Sequence, residues 1–199
     1  MRRVIILLRH GATIGDNGQK YIGHADIPLG PDGEKQALRL RQALEQWPIA
    51  NAYSSDLARC RQTAEIVLAD RGTKIVTRRD LRETAMGEWE GRFRREIATI
   101  FPEDYAARGR DIENHRVKGG ENFKDCHARV VSAFQDIVAE STDNILIAGH
   151  GSTNRLLLCH MLGMPISNLF RLGQDHGCMN LIQWDGTEYR VTLLNFTPP

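Results

Sequence analysis

Five consecutive apolar residues, Val4-Ile5-Ile6-Leu7-Leu8, end abruptly on Arg9-His10-Gly11. A run this short and this rich in branched aliphatics reads as a central strand buried on both faces. A core strand has no use for an arginine and a histidine, so the chain leaves the sheet there. In open α/β sheets, ligands bind beyond the carboxyl ends of the strands, which puts Arg9 and His10 where chemistry is done. Asn144-Ile145-Leu146-Ile147-Ala148-Gly149-His150-Gly151 repeats the arrangement. Two such strands side by side and parallel bring His10 and His150 together. This reading requires both rings to be close to one another and open to solvent.

Between the two strands the sequence alternates helical and extended patterns. A glycine-rich loop, Gly15-Asp16-Asn17-Gly18, leads to Tyr21-Ile22-Gly23-His24, and Pro31 suits the first turn of a helix carrying Ala37, Leu40, Ala43 and Leu44 on one face. Ala52-Tyr53 forms a strand, Ser54-Ser55-Asp56 offers N-caps, and a helix over residues 57–68 carries Arg59 in its first turn. A cation at a helix N-terminus is disfavoured by the macrodipole, and an anion bound there relieves both. Lys74–Thr77 is extended, and Val130, Val131, Phe134, Ile137 and Val138 mark one face of a long helix. After His150, Ser152-Thr153-Asn154 caps a helix from Arg155 to Leu162, and a hairpin of 180–184 with 189–195 closes the chain around Asp185-Gly186. The pattern predicts an α/β three-layer sandwich: a mostly parallel central sheet, helices on both faces, and a helical lid-like insertion at about 92–122. All 199 residues are read as one domain.

Composition excludes several classes. With 26 basic and 25 acidic residues the formal net charge is +1, which gives no case for nucleic acid or a membrane surface as partner. No stretch approaches the roughly 20 apolar residues that span a bilayer. The N-terminal apolar run is too short for a secretory leader, and the four cysteines show no metal-ligand spacing, so the expected setting is the reducing cytoplasm. Any anion preference therefore comes from a local cluster of arginines.

Arg9, His10, Arg59, Glu83 and His150 are expected at one edge of the sheet. Arginine forks bond two phosphate oxygens at once. Gly151, opening the helix after His150, adds backbone N–H donors at a helix N-terminus. An unprotonated histidine there can attack phosphorus, fixed cations stabilise the spread negative charge, and an acid must protonate the leaving alkoxide. Glu83 suits that role, although Glu88 and Glu90 lie close by. A histidine-rich metal site is the competing reading, but Arg9 and Arg59 would repel a cation. His24, His115, His127 and His160 default to surface or packing roles. His176, with Tyr21 and Gly23, is held open as a substrate contact, and Arg92, Arg94 and Arg95 form a basic run that reads first as a solvated face.

The residues Leu8-Arg9-His10-Gly11-Ala12-Thr13 resemble the signature of the histidine phosphatase superfamily, in its phosphoglycerate-mutase-like branch. Ser54 to Ala64, Leu81-Arg82-Glu83 with Gly87-Glu88-Trp89-Glu90-Gly91, and Gly149-His150-Gly151 are similar to its other blocks, in the same order. The resemblance implies a phosphomonoester hydrolase in which His10 becomes phosphorylated, Arg9, Arg59 and His150 hold the phosphate, and Glu83 gives the proton. It implies no metal or organic cofactor, and a small phosphorylated metabolite as partner; the chain could act as monomer or homodimer. Two positions depart from the family. Ala12 stands where an acidic residue is usual, and Asp16 stands where an asparagine is expected, with Asn17 one step along. Either Asn17 reaches the phosphate through a shifted loop, or that position is vacant. Within the superfamily, Tyr21 to Leu29, Asp175-His176-Gly177-Cys178 and the short chain are similar to the α-ribazole phosphatases of cobalamin assembly. A phosphoglycerate mutase, a broad-specificity phosphatase or a non-catalytic phospho-ligand binding protein are the alternatives.

Overall fold

The computed structural model describes residues 2–15 and 19–199. Six strands form one sheet in the order β3-β2-β4-β1-β5-β6. In chain order the elements are β1 (Arg3–Arg9), α1 (Pro31–Ala43), β2 (Asn51–Ser55), α2 (Ala58–Val67), β3 (Ile75–Arg78), α3 (Arg94–Ile100), α4 (Pro102–Arg110), α5 (Phe123–Glu140), β4 (Ile145–Gly149), α6 (Gly151–Leu162), β5 (Met179–Trp184) and β6 (Tyr189–Phe196). The four strands β3, β2, β4 and β1 run parallel, while β5 and β6 complete the sheet as an antiparallel pair. The mostly parallel sheet expected from the alternating pattern is therefore present.

Period-two alternation along the strands sorts side chains onto two faces. Ile5 and Leu7 of β1, with Ile145 and Ile147 of β4, bury against Val130, Phe134 and Ile137 of α5 and Leu156 to Leu158 of α6. Ile6 and Leu8, with Leu146, face the other way, onto Leu40 and Leu44 at the end of α1 and Val67 of α2. Both faces of β1 are thus covered, which is why its sequence is continuously apolar rather than alternating.

This two-sided packing also fixes where a ligand can sit. β1 and β4 are neighbours, paired in parallel from Ile5↔Ile145 to Arg9↔Gly149. The helix that follows β1 lies on one face and the helix that follows β4 lies on the other. Adjacent strands whose connections diverge to opposite faces leave a crevice at their carboxyl ends. The chain after β1 stays close to α1 because there is no side chain between them: a Cβ on Gly11 would stand 2.4 Å from the Gly33 carbonyl oxygen, and one on Gly33 would stand 2.1 Å from that of Ala12. Two glycines let backbone meet backbone at this point.

Two expected helix starts are corrected. β2 extends through Ser55, so Ser54 and Ser55 are strand residues and the N-cap of α2 is Leu57. The Asp56 carboxylate is occupied by a bidentate bond from Arg82, with both distances 2.7 Å. Asp26, from a distant loop, instead accepts the Ala58 N–H at 2.6 Å. Likewise α6 begins at Gly151, earlier than read from the sequence, with His150 as its N-cap residue and Ser152 to Asn154 inside its first turn. The insertion at 92–122 holds α3, α4 and turns leading to α5. No helix among the described residues is long and apolar enough to cross a membrane.

Leu7 has no exposed surface and sits at the centre of the larger core. Leu7→Ala is expected to lower unfolding free energy by about 2–5 kcal/mol in urea titration. Leu194→Ala, on the exposed edge strand, should stay within about 0.5 kcal/mol of the parent.

Candidate active site

His10 follows β1, and its N–H bonds the Gly149 carbonyl at 3.1 Å, extending the β1–β4 ladder by one residue. Its ring centroid lies 5.2 Å from that of His150, at a steep angle of 68°. His10 Nδ1 donates to the Gly11 carbonyl at 2.7 Å. A carbonyl can only accept, so the proton resides on Nδ1 and Nε2 keeps its lone pair. Burial first, then the charges of Arg59 and Arg9, hold the His10 imidazole well below its usual range, so the ring is neutral at neutral pH. It is 6% exposed and lines a cavity of about 350 Å3.

Arg59 sits in the first turn of α2 and is 1% exposed. Its Nε donates to His150 Nδ1 at 3.2 Å, its Nη1 to the Ala25 carbonyl at 2.8 Å and its Nη2 to the Gly23 carbonyl at 2.7 Å. Since His150 Nδ1 accepts, its proton is on Nε2, which faces Cys60 Sγ at 3.4 Å. Burial and the nearby Arg59, His10 and Arg9 depress the His150 imidazole strongly as well. One expectation fails here: His150 does not reach solvent. It is 0% exposed and lies behind the cavity wall, because Arg59 and Cys60 of α2 close over it.

Arg9 donates through Nη1 to the Gln174 carbonyl and through Nη2 to His176 Nε2 at 2.6 Å. Gln174 is fixed in turn by a reciprocal amide pair with Asn180, at 2.7 and 3.1 Å, and Asn180 also donates to the Leu7 carbonyl. Buried polar side chains thus anchor the arginine to the strand that carries it. His176 lies 5.4 Å from the His10 ring and lines the cavity, where the sequence had kept it open as a contact.

Of the three neighbouring glutamates, Glu83 lines the cavity. Its Oε1 accepts the Thr84 N–H at 2.7 Å, and its Oε2 accepts the Ser152 N–H at 2.9 Å from the first turn of α6. Arg129 braces its backbone by donating to the carbonyls of Asp80 and Arg82, while His24 Nε2 donates to the Glu83 carbonyl at 2.9 Å. Glu88 is instead paired with Lys118 at 2.8 Å, and Glu90 is bonded by the backbone of residues 23–25.

Gly151 and Tyr21 line the cavity; Gly23 does not, and its carbonyl serves Arg59 instead. Asn17 and Asp16 lie outside the described residues. The basic run divides: Arg94 lines the cavity, while Arg92 stacks over Phe101 and Arg95 over Phe93. His115 pairs with Asp104 at 3.0 Å, and His127 and His160 face each other away from the site. All four cysteines are buried and unpaired.

Sequence reasoning missed the outer wall. Arg155, Arg108, Tyr105 and Phe170 line it, with Phe170 and Tyr105 exposed by 55% and 38%. Arg155 was within reach, because it stands one helical turn after Gly151 on the same face. The others come from α4 and from a short 3-10 turn at Ile166–Arg171, and their meeting depends on tertiary packing. Arg108 lies over the rings of Tyr21, Trp89 and Phe123 at 5.6, 5.9 and 5.2 Å, and burial lowers its basicity. Among the described residues, no group of three or more His, Cys, Asp or Glu side chains is disposed to hold a metal ion.

The chain is similar to known proteins over most of its length. The profile of the histidine phosphatase superfamily (branch 1) matches residues 5–197. The adenosylcobalamin/alpha-ribazole phosphatase of Salmonella typhimurium is 33% identical over 177 residues, covering 88% of each chain. Phosphoglycerate mutase-like protein 4 of Arabidopsis thaliana is 34% identical over 157 residues, covering 77% of this chain and 68% of that one. Among solved structures, the alpha-ribazole phosphatase from Shigella flexneri superposes with a TM-score of 0.90 at 30% identity, over 99% of this chain and 97% of that one.

Both central imidazoles are depressed in the folded chain, so an unfolded chain binds more protons below its own histidine value of ~6.5. Their contribution to stability is complete above that pH and is lost as pH falls below it. The urea midpoint should therefore drop between pH 7 and 5. The slope should be shallower in a His10→Asn/His150→Asn double variant, which leaves His127 and His160, also lowered by burial, unchanged. Equal slopes for the two proteins would show that the central rings are not held neutral.

Proposed function

The chain belongs to the histidine phosphatase superfamily, and from that premise we propose that it hydrolyses phosphomonoesters through a phosphohistidine on His10. The observation that carries the reading is the His10 ring: Nδ1 is committed to the Gly11 carbonyl, and a neutral Nε2 is left at the wall of a cavity flanked by Arg9 and Arg59. Nε2 attacks phosphorus as the bond to the alcohol oxygen breaks, and the phosphoryl group passes to the ring. Guanidinium N–H groups and the α6 N-terminus at Gly151 take the equatorial oxygens, where charge accumulates. His150 serves the phosphate from behind the wall, by accepting from Arg59 Nε and so orienting that guanidinium. Glu83 gives a proton to the departing alkoxide, then takes one from the water that attacks the phosphohistidine and releases inorganic phosphate. Guanidinium and backbone N–H groups meet the charge on the equatorial oxygens, and the reaction as written calls on no metal. Asn17 is retained as an added phosphate ligand.

For the substrate, we favour α-ribazole 5′-phosphate, placing the chain in cobalamin synthesis. The relatives that carry that name support it, and so does the outer wall. Two exposed rings, Tyr105 and Phe170, offer stacking faces to a planar base. Residues 92–122 act as the cover over that half of the site, and Tyr21 and His176 touch the substrate. A second reading has its own observation: Lys20, Arg94, Arg108 and Arg155 line the same outer cavity, and such charges suit an acidic alcohol of the phosphoglycerate type. A mutase would return the phosphoryl group to that alcohol.

His10→Ala should lose turnover by at least about 10^3-fold and form no acid-labile phosphoenzyme with a labelled substrate, whereas Glu83→Gln should slow turnover by about 10^2–10^4-fold. Full activity in His10→Ala would remove the mechanism. A panel of phosphorylated metabolites, scored for phosphate release and for isomerisation, separates the substrates. Preferred release from α-ribazole 5′-phosphate supports the first reading, and isomerised phosphoglycerate supports the second.

A further inference from the structure

Arg59 poses an electrostatic problem. A buried guanidinium without a counter-charge is costly, yet among the described residues Arg59 meets no carboxylate. A carboxylate placed directly on it would neutralise it and take up the fork that a phosphoryl group needs. Guanidinium carries five N–H donors. Three are committed, to His150, Ala25 and Gly23. That leaves one N–H on each terminal nitrogen.

The segment that accepts from Arg59 is held on its other side by Glu90. The Gly23 N–H donates to Glu90 Oε1 at 2.8 Å, the His24 N–H to Oε2 at 3.1 Å and the Ala25 N–H to Oε1 at 3.2 Å. The Gly23 carbonyl and the His24 N–H belong to one peptide unit. Its oxygen accepts from Arg59 Nη2 at 2.7 Å, and its N–H points to the Glu90 carboxylate. The peptide dipole therefore lies head to tail between the two charges, in the favourable sense at both ends. Gly23 makes this approach possible, since a Cβ there would stand 2.9 Å from Glu90 Oε2 and 2.4 Å from the Thr84 carbonyl oxygen.

We propose that Glu90 is a positioning residue for the phosphate site, supplying the counter-charge of Arg59 through the Gly23–His24 peptide and leaving two guanidinium N–H groups free for the substrate. The carboxylate gathers three backbone donors, and that fixes the direction of the carbonyls at 23 and 25. Those carbonyls fix the plane of the guanidinium, and Arg59 Nε in turn fixes the His150 tautomer. Glu90 touches neither substrate nor reacting atoms. Its effect on the bound phosphate passes through Arg59. The proposal rests on the reading of Arg59 as a phosphate ligand.

A double-mutant cycle on the full-length protein tests it, using Glu90→Gln, Arg59→Ala and the double variant. Orthovanadate affinity is measured by titration calorimetry, kcat and KM with p-nitrophenyl phosphate, and fold integrity by thermal unfolding. Glu90→Gln should weaken vanadate binding by about tenfold or more, because the amide puts an N–H group among N–H donors. In the Arg59→Ala background the same substitution should change vanadate affinity by less than about twofold. An unchanged affinity in Glu90→Gln would overturn the proposal, as would a loss of the same size in both backgrounds, which marks a purely structural role. If Glu90→Gln does not fold, the cycle is run with Glu90→Asp, which keeps the charge but shortens its reach and should show a smaller loss, again absent without Arg59. Arg59→Ala binding vanadate like the parent would instead defeat the phosphate-ligand reading itself.

Discussion

Parallel pairing between β1 and β4 is the constraint from which the site follows. The register that sets Arg9 opposite Gly149 carries His10 and His150 to the same edge, and the bond from the His10 N–H to the Gly149 carbonyl continues that register past the strand. A one-residue slip would move every β1 side chain to the other face and separate the rings. The slip is prohibited by packing, since Ile5 and Leu7 fill one core while Ile6 and Leu8 fill the other. Side-chain packing on both faces of β1, several residues away, thus determines the spacing of two imidazoles.

Once gathered, these groups cannot all be charged. The two histidines, buried between two guanidinium groups, give up their protons, with burial as the larger cause. Each ring is then a directed object rather than a diffuse cation. His10 has one nitrogen that donates to a carbonyl and one with a lone pair; His150 has one that accepts from Arg59 and one that can donate. The same electrostatic pressure that makes the empty site unfavourable makes a bound dianion favourable, so stability is exchanged for affinity at this edge of the sheet.

The sequence was most legible where a residue's role is local. Arg9, His10 and Gly151 follow apolar strands or open a helix, and their positions could be read from a dozen neighbours. Glu83 could be named as an acid but not separated from Glu88 and Glu90, because what distinguishes them is which backbone amides surround each carboxylate. His150 was found in sequence and misjudged in depth: that Arg59 and Cys60 would close over it depends on how α2 packs against β4. The cap residues erred for a related reason. Asp56 has the chemistry of an N-cap, yet Arg82 offers it two charged donors, and Asp26 from another loop takes the helix end. Tyr105, Arg108 and Phe170 were illegible because they come from segments with weak periodicity that meet only across the cavity.

The inner and outer halves of the cavity therefore answer to different physics. The inner half is held by strand ends, backbone carbonyls and buried amides, which fix Arg59 through three of its five N–H groups and leave two for a ligand. The outer half is lined by rings with cations packed on them: Arg108 among Tyr21, Trp89 and Phe123, and Arg155, held by the Leu172 and Gly151 carbonyls, over Phe170 at 5.7 Å. A guanidinium stacked on aromatic rings gives its face to a ring while its edge stays polar, so one wall combines charge for an acidic alcohol with rings for a planar one. Rigid chemistry beside an adaptable wall is the arrangement in which a single reaction can serve different alcohols. Changes in α3, α4 and the turn at Ile166–Arg171 can then alter what is hydrolysed while leaving untouched how the phosphorus is attacked.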